Sequence, residues 1–140
     1  MFLLDTNVLS ALMLAEVPRS VVAWRAGTPA RFVHTATICQ AEILAGIAVL
    51  PEGRRRENFL AAAYAIFREN LAGKIWPFDA IAAEAYAEIF SGRRGAGRHT
   101  EPTDLMIAAI ALSRNASVVT RNVHDFDGCG VAVINPWEEG

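Results

Sequence analysis

An α/β fold with a mainly parallel sheet, covered by helices on both faces, is predicted by three features of the sequence. Strand-like and helix-like segments alternate in βα order along the chain, and right-handed crossovers place helices on both sides of such a sheet. Hydrophobic residues make up 53 % of the chain against 20 % charged, enough apolar surface to offset the entropy of ordering the backbone. The length of 140 residues fits one domain over 1–140, without an internal repeat or linker.

Phe2-Leu3-Leu4 is a short apolar strand, broken by Asp5-Thr6-Asn7 before helical spacing resumes over residues 8–15. Pro18 suits the start of a short helix through Ala26. Gly27-Thr28-Pro29 then stops it before a second strand at residues 31–34. Residues 36–50 are apolar on nearly every side and predict a buried helix, with Thr35 or Thr37 as cap and Pro51-Glu52-Gly53 as terminator. A further helix is predicted over residues 54–71, and Gly73 separates it from a brief strand within Ile75-Trp76-Pro77-Phe78.

Asp79 can cap an Ala-rich helix running to about Phe90. Residues 91–101 carry Gly92, Gly95 and Gly97 among Arg93, Arg94, Arg98 and His99, and are expected to form a mobile basic loop. Pro102 suits the first turn of a helix reaching Ser113. Strands are expected at residues 117–119 and 131–134, the first followed by a Thr120-Arg121-Asn122 turn.

The formal net charge of −2 argues against a protein that holds nucleic acid through a globally basic surface, although local basic patches can still do so. No apolar run approaches the roughly 18 residues of a membrane span, and no basic segment precedes the apolar opening. A cytoplasmic protein that does not engage a membrane is expected. Cys39 and Cys129 lack the close pairing of a redox or zinc motif.

Three acids stand out. Asp5 follows the first strand directly, at the carboxyl edge where open α/β sheets expose ligand groups, although one Asp there serves equally well as a helix cap. Glu42 lies in a helix apolar on nearly every side, where an unpaired carboxylate is costly; pairing with an arginine or a raised pKa are the structural alternatives. Asp104 opens another apolar helix, where an acid also suits the positive helix end. If the three meet, their repulsion calls for a hard cation such as Mg²⁺ or Mn²⁺. Such an ion activates water for phosphodiester hydrolysis. Thr120, Asn122 and Asp125 can complete the site or simply form a turn.

Four blocks in this order make the chain resemble the PIN-domain family, especially the toxin ribonucleases of VapBC and FitAB type toxin–antitoxin pairs. They are the opening Phe2-Leu3-Leu4-Asp5-Thr6-Asn7-Val8-Leu9-Ser10, the central Ile38-Cys39-Gln40-Ala41-Glu42-Ile43, the later Asp104-Leu105-Met106-Ile107-Ala108-Ala109, and Thr120-Arg121-Asn122-Val123-His124-Asp125-Phe126. The resemblance covers essentially the whole chain and implies a three-layer α/β/α sandwich with divalent-metal-dependent RNA cleavage. It matches Asp5, Glu42 and Asp104 to the principal acidic positions, Thr6 and Thr120 to supporting ones, and Asn7 to the residue beside the first acid. Asn122 departs from the family pattern, since many members carry Asp there, and Asp125 is the residue able to compensate.

The resemblance also implies a cognate antitoxin with a DNA-binding part and a segment that occupies the toxin's groove, in a complex built on a toxin homodimer. Residues 11–14 and the 54–71 helix are candidates for that groove, with core packing as the alternative use. Arg93, Arg94 and Arg98, with His99, are the candidate RNA-phosphate contacts ahead of Asp104. Two rival functions are a non-catalytic regulator and an aspartate-based phosphohydrolase. The second is disfavoured because position 7 is Asn and Lys74 is the only lysine.

Overall fold

The computed structural model describes residues 1–98 and 101–138. Its sheet is formed by β1 (Phe2–Leu4), β2 (Val33–Ala36), β3 (Ile75–Trp76), β4 (Ser117–Val119) and β5 (Val133–Ile134). All pairings are parallel, in the order β3-β2-β1-β4-β5. The chain therefore travels outward from β1 to β3 and returns on the other side of β1. The order reverses between β1 and β4, and in open α/β sheets the crevice at the carboxyl ends of such a strand pair is the usual ligand position.

Helices α1 (Thr6–Leu12) and α2 (Arg19–Gly27) join β1 to β2, α3 (Thr37–Ala48) and α4 (Arg54–Ala65) join β2 to β3, and α5 (Ala80–Gly95) and α6 (Pro102–Ser113) join β3 to β4. Right-handed crossovers running first outward and then back put the two sets on opposite faces of the sheet. The result is the three-layer α/β/α arrangement that the βα order predicts. Leu3, Leu4, Val33, Val118 and Val119 of the inner strands are almost completely buried. Each such side chain contributes about 1.5–3 kcal/mol relative to exposure. Helix α6 lies against α5 and β4 and buries Leu105 and residues 107–111, which explains why its sequence shows no amphipathic period.

Several boundaries differ from the expected ones for local reasons. Helix α1 begins at Thr6, before Val8, because Asp5 caps it, and it ends at Leu12, short of Ala15. After Pro29 a 3₁₀ turn at Ala30–Phe32 delays the second strand to Val33. Helix α4 runs on into a π-helical turn at Ile66–Asn70, so the expected 54–71 segment is helical nearly throughout.

Helix α3 is not buried all round. Cys39, Ile43 and Ile47 form its single buried seam, whereas Ala41, Glu42, Ala45 and Val49 at its C-cap are exposed. Apolar composition overstated burial here because alanine is a strong helix former that tolerates water. Neither Thr35 nor Thr37 caps the helix: Ala36 is the N-cap. The Thr35 hydroxyl instead donates to the Leu4 carbonyl across 2.7 Å and ties β2 to β1.

The expected basic loop at 91–101 is in large part helix. Helix α5 passes through Gly92 and ends at Gly95. Gly97, at φ 72°, then closes it: Gly97 N–H donates to Arg94 O and Arg98 N–H to Arg93 O. That paired bonding around a left-handed residue makes Gly97 the helix stop, whereas Gly92 is interior and Gly95 is the last helical residue. Asn115, at φ 54°, closes α6 in the same way, with its N–H on Leu112 O and the Ala116 N–H on Ala111 O. His99 lies outside the described residues.

Candidate active site

Asp5 stands at the carboxyl end of β1, where its backbone N–H still donates to Val119 O of β4. Its side chain is almost buried. One carboxylate oxygen accepts from the Thr6 N–H at 2.8 Å, and the other accepts from the Thr120 hydroxyl at 2.8 Å and Asn7 Nδ2 at 3.4 Å. Asp5 is thus both a helix cap and the centre of a polar network. Burial pushes its carboxyl above the usual carboxylate range; the Thr120 and Thr6 hydrogen bonds oppose this, and the charges of Glu42 and Asp125 add to it.

Thr120, fully buried at the end of β4, ties this network together. Its hydroxyl donates to Asp5 and accepts from Asn7 Nδ2 at 3.0 Å and from the Asn122 N–H at 3.1 Å. Asn7 Oδ1 in turn accepts from the Arg121 N–H at 3.1 Å. Asn7, beside the first acid, therefore joins the start of α1 to the turn after β4.

Glu42 is exposed, and its Oε1 accepts from the Thr6 hydroxyl at 2.7 Å. No core arginine pairs with it among the described residues, and its accessibility removes the cost that burial implied. Asp104 is half-buried in the first turn of α6. Burial and then the charges of Asp5, Asp125, Glu42 and Glu101 push its carboxyl up to about 6. Asp125 is exposed in a short 3₁₀ segment, Val123–Phe126, that Asn122 opens. The Asn122 side chain makes no hydrogen bond among the described residues.

Glu42 and Asp125 thus add to the burial that raises Asp5, and with Asp5 to the burial that raises Asp104, beside the point where the strand order reverses. Among the described residues, no three His, Cys, Asp or Glu side chains are gathered tightly enough to hold an ion as they stand. The donor set fits a hard divalent cation nevertheless. It is all oxygen, and a divalent charge offsets both the burial and the neighbouring carboxylates that raise Asp104. Beneath the acids, Cys39 is fully buried, and burial together with the Asp5 charge pushes its thiol up to about 12, so it is an inert neutral floor.

The basic residues separate. Arg93 is buried: its guanidinium donates to the Asp127 carbonyl and contacts Cys129 Sγ at 3.3 Å, joining α5 to the loop after Phe126. This corrects its expected place among the RNA contacts, because it faces inward from a helix. Arg94 and Arg98 are exposed, and Arg98 stands 3.9 Å from Asp127.

A cleft of about 250 Å³ opens beside Glu42, walled by Ser10, Met13, Leu14, Ile43 and Phe59 among others. Of the expected groove residues, Met13, Leu14 and, from the 54–71 helix, Phe59 line it. Ala11 is buried, and Leu12 lines a separate cavity near Arg25.

A family model described as the PIN domain matches residues 2–127. The chain belongs to the PIN-domain family. It is 36 % identical to the VapC ribonuclease Y4jK of Sinorhizobium fredii over 99 % of each chain. It is also 34 % identical to the toxin FitB of Neisseria gonorrhoeae, over 99 % of this chain and all of FitB. Among solved structures, the toxin–antitoxin complex FitAB bound to an IR36 DNA fragment contains a chain that superposes with a TM-score of 0.91. That match has 34 % sequence identity and covers 99 % of this chain and 96 % of the other.

Sequence reasoning passed over Thr35, which ties β2 to β1, and Trp137, which seats Arg121 of the turn after β4. Thr35 was readable only as a cap, since a strand-to-strand hydroxyl bond leaves no pattern in sequence. Trp137 carries the Arg121 guanidinium over its ring at 5.1 Å. The signal available for it was Asn135-Pro136-Trp137, where Asn135 Oδ1 accepts from the Trp137 N–H at 3.0 Å.

Proposed function

We propose that this PIN-domain protein is a divalent-metal-dependent endoribonuclease, the toxin of a type II toxin–antitoxin pair. What supports the reading is Asp5, held by Thr6, Asn7 and Thr120 at the β1–β4 crevice with the charges of Glu42 and Asp125 acting on it, on a chain whose relatives include a VapC ribonuclease and the toxin FitB. Asp5, Glu42 and Asp104 are the metal ligands. Mg²⁺, with Mn²⁺ as substitute, supplies an activated water and neutralises charge on the phosphodiester.

The chain's own residues prepare that site. Thr120, the Thr6 N–H and Asn7 hold the Asp5 carboxylate in one orientation, and the Thr6 hydroxyl holds Glu42. Asn122, with its amide unoccupied by other side chains, orients a water or ligand oxygen, while Asp125 adds negative charge from the rim. Arg94 and Arg98 draw RNA phosphates toward the acids.

The cleft lined by Met13, Leu14, Ile43 and Phe59 receives an apolar segment of the antitoxin, placing it beside Glu42. The toxin acts in the cytoplasm as part of a homodimer-based complex. No helix among the described residues is long and apolar enough to cross a membrane. A phosphoenzyme through Asp5 is not favoured. Asn7, where a second acid is needed, is committed to Thr120 and Arg121, and Lys74 bonds Ala30 O at the amino edge of the sheet.

The deciding experiment incubates purified, antitoxin-free protein with a broad RNA pool and Mg²⁺ or Mn²⁺, then sequences the new ends. Breaks that require the metal and vanish in Asp5→Asn support the reading. A well-folded, metal-bound protein that cuts nothing shifts the balance to a non-catalytic regulator.

A further inference from the structure

A second cleft, of about 460 Å³, opens on the rim of the acid cluster, lined by Arg121, Asn122, His124, Asp125 and Asn135 among others. Asp125 lines it, and the Asn122 N–H bonds the Thr120 hydroxyl that holds Asp5, so whatever enters this cleft lies beside the acid cluster. Its lining differs from that of the cleft beside Glu42. Here amides, an imidazole, a guanidinium and the carboxylates of Asp125 and Glu138 provide donors and acceptors in several directions, as the edges of a nucleobase require.

Arg121 is the cation built into this rim. Its backbone N–H is fixed by Asn7 Oδ1 at 3.1 Å, one residue after the Thr120 that holds Asp5. Its guanidinium rests over the Trp137 ring at 5.1 Å. Trp137 is itself held by packing against the core and by the Asn135 bond to its N–H. The end of β5 is tied to the same turn, since Thr120 N–H donates to Ile134 O. Arg121 is nonetheless exposed. A planar cation seated on an indole loses little further freedom when it meets a phosphate, and can do so through two parallel N–H bonds.

We propose that Arg121, held over Trp137, and the cleft beside it form the subsite for one unpaired nucleotide of the RNA, next to the bond cut at the acid cluster. Arg121 meets the phosphate, and Asn122, His124 and Asn135 meet the base edge. The base must be unpaired to reach these groups, because a duplex hides its edges in a groove that side chains do not enter. The cleft is of the size that takes one small-molecule-sized group. This subsite rests on the ribonuclease reading above.

The test measures affinity for a labelled single-stranded RNA of mixed sequence in an Asp5→Asn background, where the RNA stays intact, alongside KM and kcat in the active protein. Arg121→Ala is expected to weaken binding and raise KM about tenfold, to change kcat much less, and to flatten the salt dependence by about one phosphate contact. Arg121→Lys should keep the salt slope but recover only part of the affinity, because it loses the planar seat on Trp137. Trp137→Leu should act in the same direction more weakly, with folding checked by circular dichroism. Arg31→Ala is the control. It removes a cation seated on Phe32 at 4.6 Å, just ahead of the amino end of β2, away from the carboxyl ends of the strands. Unchanged affinity in Arg121→Ala, or an equal loss in Arg31→Ala, overturns the subsite. If the active protein cuts RNA while Arg121→Ala leaves affinity and KM alone, the subsite fails by itself. If nothing is cut but Arg121→Ala still weakens RNA binding, the subsite stands and the nuclease reading fails.

Discussion

The Thr120 hydroxyl donates to Asp5 Oδ2 across 2.8 Å, linking the ends of the two central strands at the point where the strand order reverses. Thr120 also accepts from Asn7 and from the Asn122 backbone, so one buried hydroxyl connects three of the segments that build the site.

Thr120→Val keeps the branched shape and deletes that oxygen. The Asn7 amide and the Asn122 N–H then lose their acceptor, and Asp5 loses a donor that opposes the effect of burial. The expected cost is about 1–3 kcal/mol in chemical denaturation, together with weaker binding of Mn²⁺. Thr120→Ser, which restores the hydroxyl, should recover most of both. Unaltered stability and Mn²⁺ affinity in Thr120→Val would show that the network does not hold Asp5.

Much of this site was legible because its parts sit where local chemistry announces them. An apolar triplet ending in Asp5, and Pro102 opening a helix with Asp104 in its first turn, are junction signals that sequence carries directly. The burial of Glu42 was misread because Ala41, Ala45 and Ala48 count as apolar yet lie exposed, so the helix has one seam and not a full core circumference. The basic loop was misread because three glycines look alike in sequence, whereas only Gly97 adopts the left-handed conformation that stops α5. Arg93 went with that loop. Its burial depends on a carbonyl and a thiol more than thirty positions away, a relation that no local pattern encodes.

Asp104→Asn tests the burial and neighbouring charges that raise the Asp104 carboxyl. The folded-state pKa, about 6, lies above the ordinary 3.8, so the native state holds the proton more tightly than the unfolded chain does. The contribution of Asp104 to stability therefore falls as pH rises between those values, and at neutral pH it is unfavourable. In EDTA, Asp104→Asn should raise Tm at pH 7.5 and change it little at pH 4. Divalent cation should reverse the ranking. At a hundred times its Kd a ligand adds about 2.7 kcal/mol to the protein that binds it, and the variant should lose most of that gain. A variant no more stable than wild type at pH 7.5 in EDTA would mean that burial and the neighbouring acids do not disfavour the Asp104 charge appreciably.

Glu42→Gln separates chemistry from folding. The side chain is exposed and its one hydrogen bond comes from the Thr6 hydroxyl. Stability should change by no more than about 0.5 kcal/mol, while RNA cleavage falls at least about tenfold at fixed Mg²⁺. Thr6→Val, which releases Glu42 without removing its charge, should lower cleavage less and be partly rescued by more metal. Equal cleavage by Glu42→Gln and wild type would remove Glu42 from the ligand set.

The arginines at the end of α5 give opposite expectations from adjacent positions. Arg93 is buried, with its guanidinium on the Asp127 carbonyl and 3.3 Å from Cys129 Sγ, so it fastens the helix to the loop that follows Phe126. Removing it leaves a part-buried carbonyl without this donor and a space among packed groups. Arg93→Ala should therefore cost about 2–4 kcal/mol in denaturant unfolding, and Arg93→Lys should not rescue it, since an ammonium cannot reproduce the fork of a guanidinium. Arg94 and Arg98 are exposed, and the Arg98–Asp127 pair at 3.9 Å is a surface contact of little energetic weight. The double variant Arg94→Ala with Arg98→Ala should leave unfolding unchanged while weakening RNA binding and lowering its salt slope by about two contacts. If the double variant binds RNA with the same affinity and the same slope, the phosphate track lies elsewhere. If Arg93→Ala unfolds like wild type but loses RNA affinity, the buried placement of Arg93 does not describe the protein in solution.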